Sequence, residues 1–76
     1  MRELVAYIAG SLVDNPDAVQ VNEVEKDQTR VLELSVDRKD VGKVIGKQGR
    51  TIRAIRAVLG AASVRLKKRV SLEIQE

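Results

Sequence analysis

The sequence predicts an α+β domain in which three helices pack on one face of a three-stranded sheet. Apolar residues recur at helical spacing near the beginning and in the second half of the chain, whereas they alternate with polar residues in two shorter runs. The length of 76 residues suffices for one domain with one core, spanning residues 1–76. The predicted order of elements is helix, strand, strand, helix, helix, strand.

The first helix is predicted from Met1, Val5, Ile8 and Leu12, which recur at spacings of four, three and four. Pro16 and the polar residues around it end this helix, because proline cannot continue it and disfavours helical geometry in the residue before. The chain therefore turns here before the sheet begins.

A hairpin of two strands is predicted next. Val19 and Val21 alternate with polar neighbours, while Val24 breaks the alternation and indicates either a bulge or a strand with apolar contacts on both faces. A polar turn over residues 25–28 leads to a second strand over residues 32–36, in which apolar and polar residues alternate strictly. The link is short, so the two strands pair as a hairpin.

Two consecutive helices follow the hairpin. Asp40 is a good N-cap residue for a short helix over Val41–Ile45, which Gly46 limits to about a turn and a half. The longer helix is predicted from an apolar stripe at spacings of three, four, three and four, formed by Ile52, Ile55, Leu59, Ala62 and Leu66.

The end of the longer helix has two interpretations. A continuous helix through Gly60 is favoured by the unbroken stripe, although glycine costs it about 1 kcal/mol relative to alanine. Alternatively, Gly60 ends the helix as a C-cap and a strand begins near Val64. The alternation of Val70, Leu72 and Ile74 with polar residues predicts the closing strand in either case.

Composition excludes several classes of protein. The chain has no Cys and no His, so cysteine nucleophiles, disulfides, histidine bases and the usual zinc ligands are absent, and we expect neither an enzyme nor a cofactor. A single Tyr, with no Phe or Trp, provides no aromatic platform for stacking bases as an RNA-recognition motif or an OB-fold does. There is no long apolar run or secretory signal, so we expect a cytoplasmic protein without a membrane partner.

Charge is strongly segregated along the chain. Residues 1–37 contain three basic and eight acidic residues, whereas residues 38–76 contain eleven basic and three acidic ones. A domain with one strongly positive half is typical of proteins that bind polyanions, although lysine and arginine also solubilise helix faces.

The stretch from Val44 to Ile52 concentrates the functional signal. Gly46 and Gly49 bound a short connection between the two helices, and glycine permits both a tight turn and the close approach of another backbone. The amides at the start of the next helix, together with Lys47 and Arg50, suit a phosphodiester backbone. A plain helix-turn-helix corner, with both glycines serving chain geometry only, is the alternative.

These residues, in this order of elements, resemble a type II KH domain, and both chain ends resemble the small bacterial single-KH RNA-binding proteins of the KhpA type. The resemblance covers the whole chain and implies a groove that clamps about four nucleotides of single-stranded RNA. It implies an RNA chaperone or post-transcriptional regulator that forms a homodimer, a heteromer with a larger KH-containing RNA-binding protein, or both. A protein-interaction adaptor in which the scaffold mainly recruits a partner is the competing function.

The resemblance also assigns residues to the groove. Gly46 and Gly49 would admit the phosphates, Lys47, Gln48 and Arg50 would contact them, and Val44, Ile45 and Ile52 would form an apolar floor. Ile45 and Ile52 fit the core at least as well, and of the three apolar residues only Ile45 is placed beside the groove. Lys43, Arg53 and Arg56 are expected to extend the positive field, unless they are simply solvated surface charges.

Two further features have open interpretations. Lys67, Lys68 and Arg69 form either an auxiliary phosphate contact or a charged loop. A second stripe on the long helix indicates a subunit interface or an alanine-rich exposed face, and it consists of Ala54, Ala57, Val58 and Ala61.

Overall fold

The helices and strands follow one another in the predicted order, as the computed structural model of residues 1–75 shows. The helices are α1 (Arg2–Leu12), α2 (Val41–Ile45) and α3 (Arg50–Leu66). The strands are β1 (Gln20–Lys26), β2 (Thr29–Ser35) and β3 (Arg69–Gln75). This is the predicted α+β architecture, with the element order of a type II KH fold.

The sheet has the strand order β1-β2-β3, with β1 antiparallel and β3 parallel to β2. The pairing of β1 with β2 is unbroken, so the bulge considered at Val24 is wrong; this residue pairs with Val31 on the face away from the helices. The predicted turn is also too wide. Glu25 and Lys26 still pair with β2, which leaves Asp27, with a φ of 57°, and Gln28 to make the turn.

A single apolar core lies between the sheet and the helices. Leu32 and Leu34 of β2 and Leu72 of β3 face it from the sheet, and each is at most 3% exposed. The helices contribute the remaining buried apolar side chains, namely Val5, Ala9, Val44, Ile52, Ile55 and Leu59. Each large side chain contributes about 1.5–3 kcal/mol when it is fully buried, so the small core depends on nearly every member.

The long helix α3 continues through Gly60 to Leu66, which confirms the continuous helix and rules out a strand beginning near Val64. The core-facing stripe is buried up to the expected break, through Ile52, Ile55 and Leu59. Beyond Gly60, Ala62 is half-buried and Leu66 is 47% exposed, so this part of the predicted stripe lies outside the core. The helix ends at Lys67, whose φ of 56° is left-handed. Within residues 1–75, no helix combines the length and the apolar character needed to cross a lipid bilayer.

Candidate nucleic-acid interface

The connection between α2 and α3 depends on the backbone of Gly46. Its φ of 79° and ψ of 170° lie in a region that is essentially restricted to glycine. A Cβ atom at this position would lie 2.2 Å from Thr51 Oγ1 and 2.8 Å from the Thr51 backbone nitrogen. Chain geometry therefore requires Gly46, and Thr51 is a member of the site that sequence reasoning missed.

Two further residues of the loop have left-handed backbones. Gln48 has a φ of 58° and Gly49 a φ of 75°, and the Gly49 amide donates to the Gly46 carbonyl oxygen at 3.1 Å. The backbone amides of Lys47 and Gln48 have no hydrogen-bond acceptor within residues 1–75, and both residues are exposed. Two consecutive amides are thus free to bind an anion, and the flanking glycines have no side chains that would obstruct its approach.

Two arginines of α3 are held against this loop. The Arg50 guanidinium donates to Gln48 Oε1 at 3.3 Å, and the Arg53 guanidinium donates to the Gln48 carbonyl oxygen at 3.1 Å. Both side chains are exposed and retain further N–H donors. Together with the exposed Lys47, they place three cations around the free amides.

Lys43 lies on α2 but is engaged elsewhere. Its ammonium group forms ion pairs with Asp14 and, at 3.7 Å, with the buried Asp40. The hydrogen bond to Asp14 is the main cause that raises the pKa of Lys43 above its ordinary value. The structure therefore pairs Lys43 with two carboxylates, and its expected contribution to the positive field around the loop stays a prediction.

Asp40 occupies the predicted N-cap position of α2, but its side chain makes no hydrogen bond to an amide of that helix. Its carboxylate instead accepts from the Asn15 backbone amide at 3.1 Å and is 2% exposed. Tertiary contact takes precedence over local capping here, because the turn after α1 brings an unpaired amide against this carboxylate. The result fixes α2, and with it the start of the loop.

The apolar residues beside the loop divide as the sequence indicated. Val44 is fully buried and Ile52 is 7% exposed, so both belong to the core. Ile45 is half-buried and packs at the edge of the core, which leaves part of its side chain at the surface next to Gly46. Ile45 is the member of this group that is available as the floor of a groove.

A shallow groove lies between α3 and β3. The Arg56 guanidinium donates to the Leu72 carbonyl oxygen at 3.2 Å, so it bridges the helix and an edge strand. The groove has a volume of about 390 Å³ and is lined by Arg56, Leu59 and residues 70–73.

The second stripe of α3 faces away from the core. Ala54, Ala57, Val58 and Ala61 are all exposed, with Val58 at 47%. The structure thus places these residues on one solvent-facing side of the helix, where no described element of the chain covers them.

The described residues contain no grouping of three or more carboxylate, imidazole or thiol side chains that would hold a metal ion. The site consists of amides, cations and a small apolar surface.

Comparison with known proteins identifies relatives over nearly the whole chain. The family model described as "KhpA/KhpB, KH domain" matches residues 2–74. A protein named RNA-binding protein KhpA from Caldanaerobacter subterraneus subsp. tengcongensis is 57% identical over 74 residues, which cover 97% of this chain and 99% of that protein.

Two relatives from other bacteria carry the same name. The protein from Chlamydia pneumoniae is 51% identical over 76 residues, covering 100% of this chain and 97% of the relative. The protein from Borreliella burgdorferi is 49% identical over 72 residues, covering 95% of this chain and 88% of the relative. No solved structure matches the chain significantly.

Proposed function

Because the chain belongs to the KhpA/KhpB KH-domain family, we propose that it is a single-stranded RNA-binding protein that acts as an RNA chaperone or post-transcriptional regulator. The observation that carries this proposal is the loop of Gly46, Lys47, Gln48 and Gly49, with two free amides surrounded by cations. The choice of RNA over single-stranded DNA follows from the names of the relatives, since both strands present the same phosphates.

The loop is proposed to hold the sugar-phosphate backbone. Gly46 and Gly49 let a phosphate approach the main chain, the amides of Lys47 and Gln48 donate to it, and the charges of Lys47 and Arg50 neutralise it. Arg53 fixes the Gln48 carbonyl oxygen, so the loop needs little reorganisation on binding. Bases then lie towards Ile45 and the groove between α3 and β3.

Affinity is expected to be modest and mostly electrostatic. If about three phosphates are neutralised, the logarithm of the binding constant should fall with the logarithm of salt concentration with a slope of about −2. One groove reads about four nucleotides, so its sequence specificity is low. Regulation by such a module requires more than one copy or a partner with further RNA-binding domains.

Replacing both Lys47 and Gln48 with Asp tests the proposal. Asp tolerates the left-handed backbone of position 48, so the loop keeps its shape while its cation and its anion-binding character are lost. The expected result is loss of RNA retention with an unchanged melting temperature. A matched control replaces Lys39 and Gln20, which are exposed and lie outside the loop, with Asp. Full RNA retention by the loop variant would refute the function.

We further propose that the exposed stripe of Ala54, Ala57, Val58 and Ala61 is where a second copy of the chain packs. Small side chains let two helices approach closely, and a chain of this size gains stability from association. A larger KH-containing RNA-binding protein is the expected alternative partner. Ala57→Glu should convert the dimer to a monomer in sedimentation experiments; an unchanged mass would exclude this stripe as the contact.

The same stripe favours the competing function, in which the domain is mainly an adaptor for a protein partner. The loop variant separates the two functions. Loss of RNA with retained partner binding supports the RNA-binding function, whereas retention of RNA supports the adaptor. No catalytic step is proposed for either.

A further inference from the structure

A second basic groove lies at the end of α3 opposite the glycine loop. It has a volume of about 1030 Å³ and is formed by the turn between β1 and β2, the last turn of α3 and the basic run of Lys67, Lys68 and Arg69. We call it the distal groove. The 17 residues of α3 separate it from the loop by about 25 Å, since a helix rises about 1.5 Å per residue.

The cations of the distal groove are only partly neutralised. Lys68 forms an ion pair with Glu25 of β1. Lys67 and Arg69 are exposed and form neither an ion pair nor a side-chain hydrogen bond with any residue in the range 1–75. Asp27 is the acidic residue in the lining, so the groove retains a positive surplus. Two unpaired cations in one concave surface attract an anion.

The backbone at Lys67 is unusual for a residue with a side chain. It ends α3 in a left-handed conformation that glycine adopts more readily. The turn is held by hydrogen bonds, with the Lys68 amide donating to the Ser63 carbonyl oxygen at 3.3 Å and the Val70 amide donating to Ser63 Oγ at 2.8 Å. The cationic side chain of Lys67 is therefore presented from a fixed position.

A track of groups connects the distal groove to the glycine loop. Arg53, Arg56 and Ser63 lie on one flank of α3, at spacings of three and seven, and Lys67 follows directly after the last residue of the helix. Two of them contact β3, since Arg56 binds the Leu72 carbonyl oxygen and Ser63 accepts from β3, so this flank faces the edge strand. The groove beside Arg56 lies between the two ends of the track.

The composition of the distal groove suits a nucleotide better than an acidic peptide. Val64 is 79% exposed in the lining and offers an apolar contact for a base beside the two phosphate-binding cations. A carboxylate side chain would use the cations alone. The continuous track also predicts one long ligand rather than two separate ones.

We propose that the distal groove binds the phosphate backbone of the same RNA strand, beyond the nucleotides held at the glycine loop. This inference rests on the proposed function. Each phosphate contact contributes about −0.7 to the salt slope of a single strand, so Lys67 and Arg69 together increase affinity for a long strand about tenfold near 0.15 M salt. A strand too short to reach the groove gains nothing.

The test uses the full chain with Lys67→Gly and Arg69→Gln combined, and fluorescently labelled oligouridines of about four and about twelve nucleotides. Glycine suits the backbone of position 67, so the melting temperature should be equal or higher. Fluorescence anisotropy should give unchanged affinity for the short strand and a loss of about tenfold for the long one, with a salt slope shallower by about 1.4. The control replaces Arg2 and Lys39, exposed residues outside both grooves, with Gln.

Each other outcome overturns the inference in a distinct way. Unchanged affinity of the variant for the long strand would show that the distal groove does not contact the RNA. An equal loss of affinity in the control would show that the effect depends on the net charge of the protein and not on the distal groove. Binding of oligoglutamate that the variant loses, with RNA affinity intact, would assign the groove to an acidic protein. If the unmodified chain binds neither strand, the proposed function itself fails. If it binds the long strand no more tightly than the short one, only the role of the distal groove is refuted.

Discussion

Gly46→Ala gives the sharpest structural prediction for the glycine loop. The methyl group would enter a space already occupied by Thr51, with Oγ1 at 2.2 Å, Cβ at 2.7 Å and the backbone nitrogen at 2.8 Å from the new atom. Because one of these is a backbone atom, a rotamer change of Thr51 cannot remove the overlap. The φ of 79° adds conformational strain.

The expected loss is large for so small a domain. Strain at a glycine-only backbone costs about 1–3 kcal/mol and overpacking adds about 1–3 kcal/mol, which gives about 2–6 kcal/mol in total. A chain of this length has an unfolding free energy of about 4–11 kcal/mol. Gly46→Ala should therefore lower the melting temperature by at least about 10 °C.

Two other glycines provide matched controls. A Cβ at Gly49 would meet only Ile52 Cγ2, at 3.9 Å, so Gly49→Ala should cost only the strain of its left-handed backbone, about 1–2 kcal/mol. A Cβ at the helical Gly60 meets nothing within 4 Å, so Gly60→Ala should stabilise α3 by about 1 kcal/mol. Urea denaturation measures all three. A smaller loss for Gly46→Ala than for Gly49→Ala would refute the loop geometry.

Three further results are expected. The hydrogen bond from Lys68 is the main cause that lowers the pKa of Glu25 below 4.5. The ionised Glu25 therefore stabilises the folded state above that pH, and this stabilisation is lost as pH falls through the pKa of the folded state. Lys68→Gln should therefore flatten the decline of melting temperature below about pH 4.5, and an unchanged decline would contradict the pairing. Asp40→Ala should cost about 1–3 kcal/mol in urea denaturation, since it leaves the Asn15 amide without its acceptor; no loss would show that this contact is unimportant. Ser63→Ala should cost a similar amount, about 1–3 kcal/mol, because its hydroxyl joins α3 to the backbone of β3, and protection of that backbone from hydrogen exchange should fall with it.

Periodicity predicted the elements well because burial follows it closely. The buried residues Ile52, Ile55 and Leu59 follow the helical spacing that predicted α3, and the alternation around Leu72 located β3. The predicted turn was too wide because a cross-strand contact determines its extent, since the pairing of Glu25 with Arg30 continues the hairpin. The N-cap position of Asp40 was predicted, but the hydrogen bond that its carboxylate accepts from the distant Asn15 was not.

The candidate site was predictable only in part. Glycine and charge marked the loop, since no other residues give that backbone and that electrostatic field. Neither the local pairing of Lys43 with Asp14 nor the contact of Thr51 with Gly46 has a sequence signal, because each depends on residues brought together by the fold.

The central claim is that the two free amides of the glycine loop bind RNA phosphate. Titration of the isotopically labelled protein with an oligouridine of about four nucleotides tests it most directly by NMR. The amide resonances of Lys47, Gln48 and Gly49 are expected to shift first and most, while those of the turn at Asp27 stay in place. Shifts confined to other surfaces, with the loop amides unmoved at saturation, would contradict it.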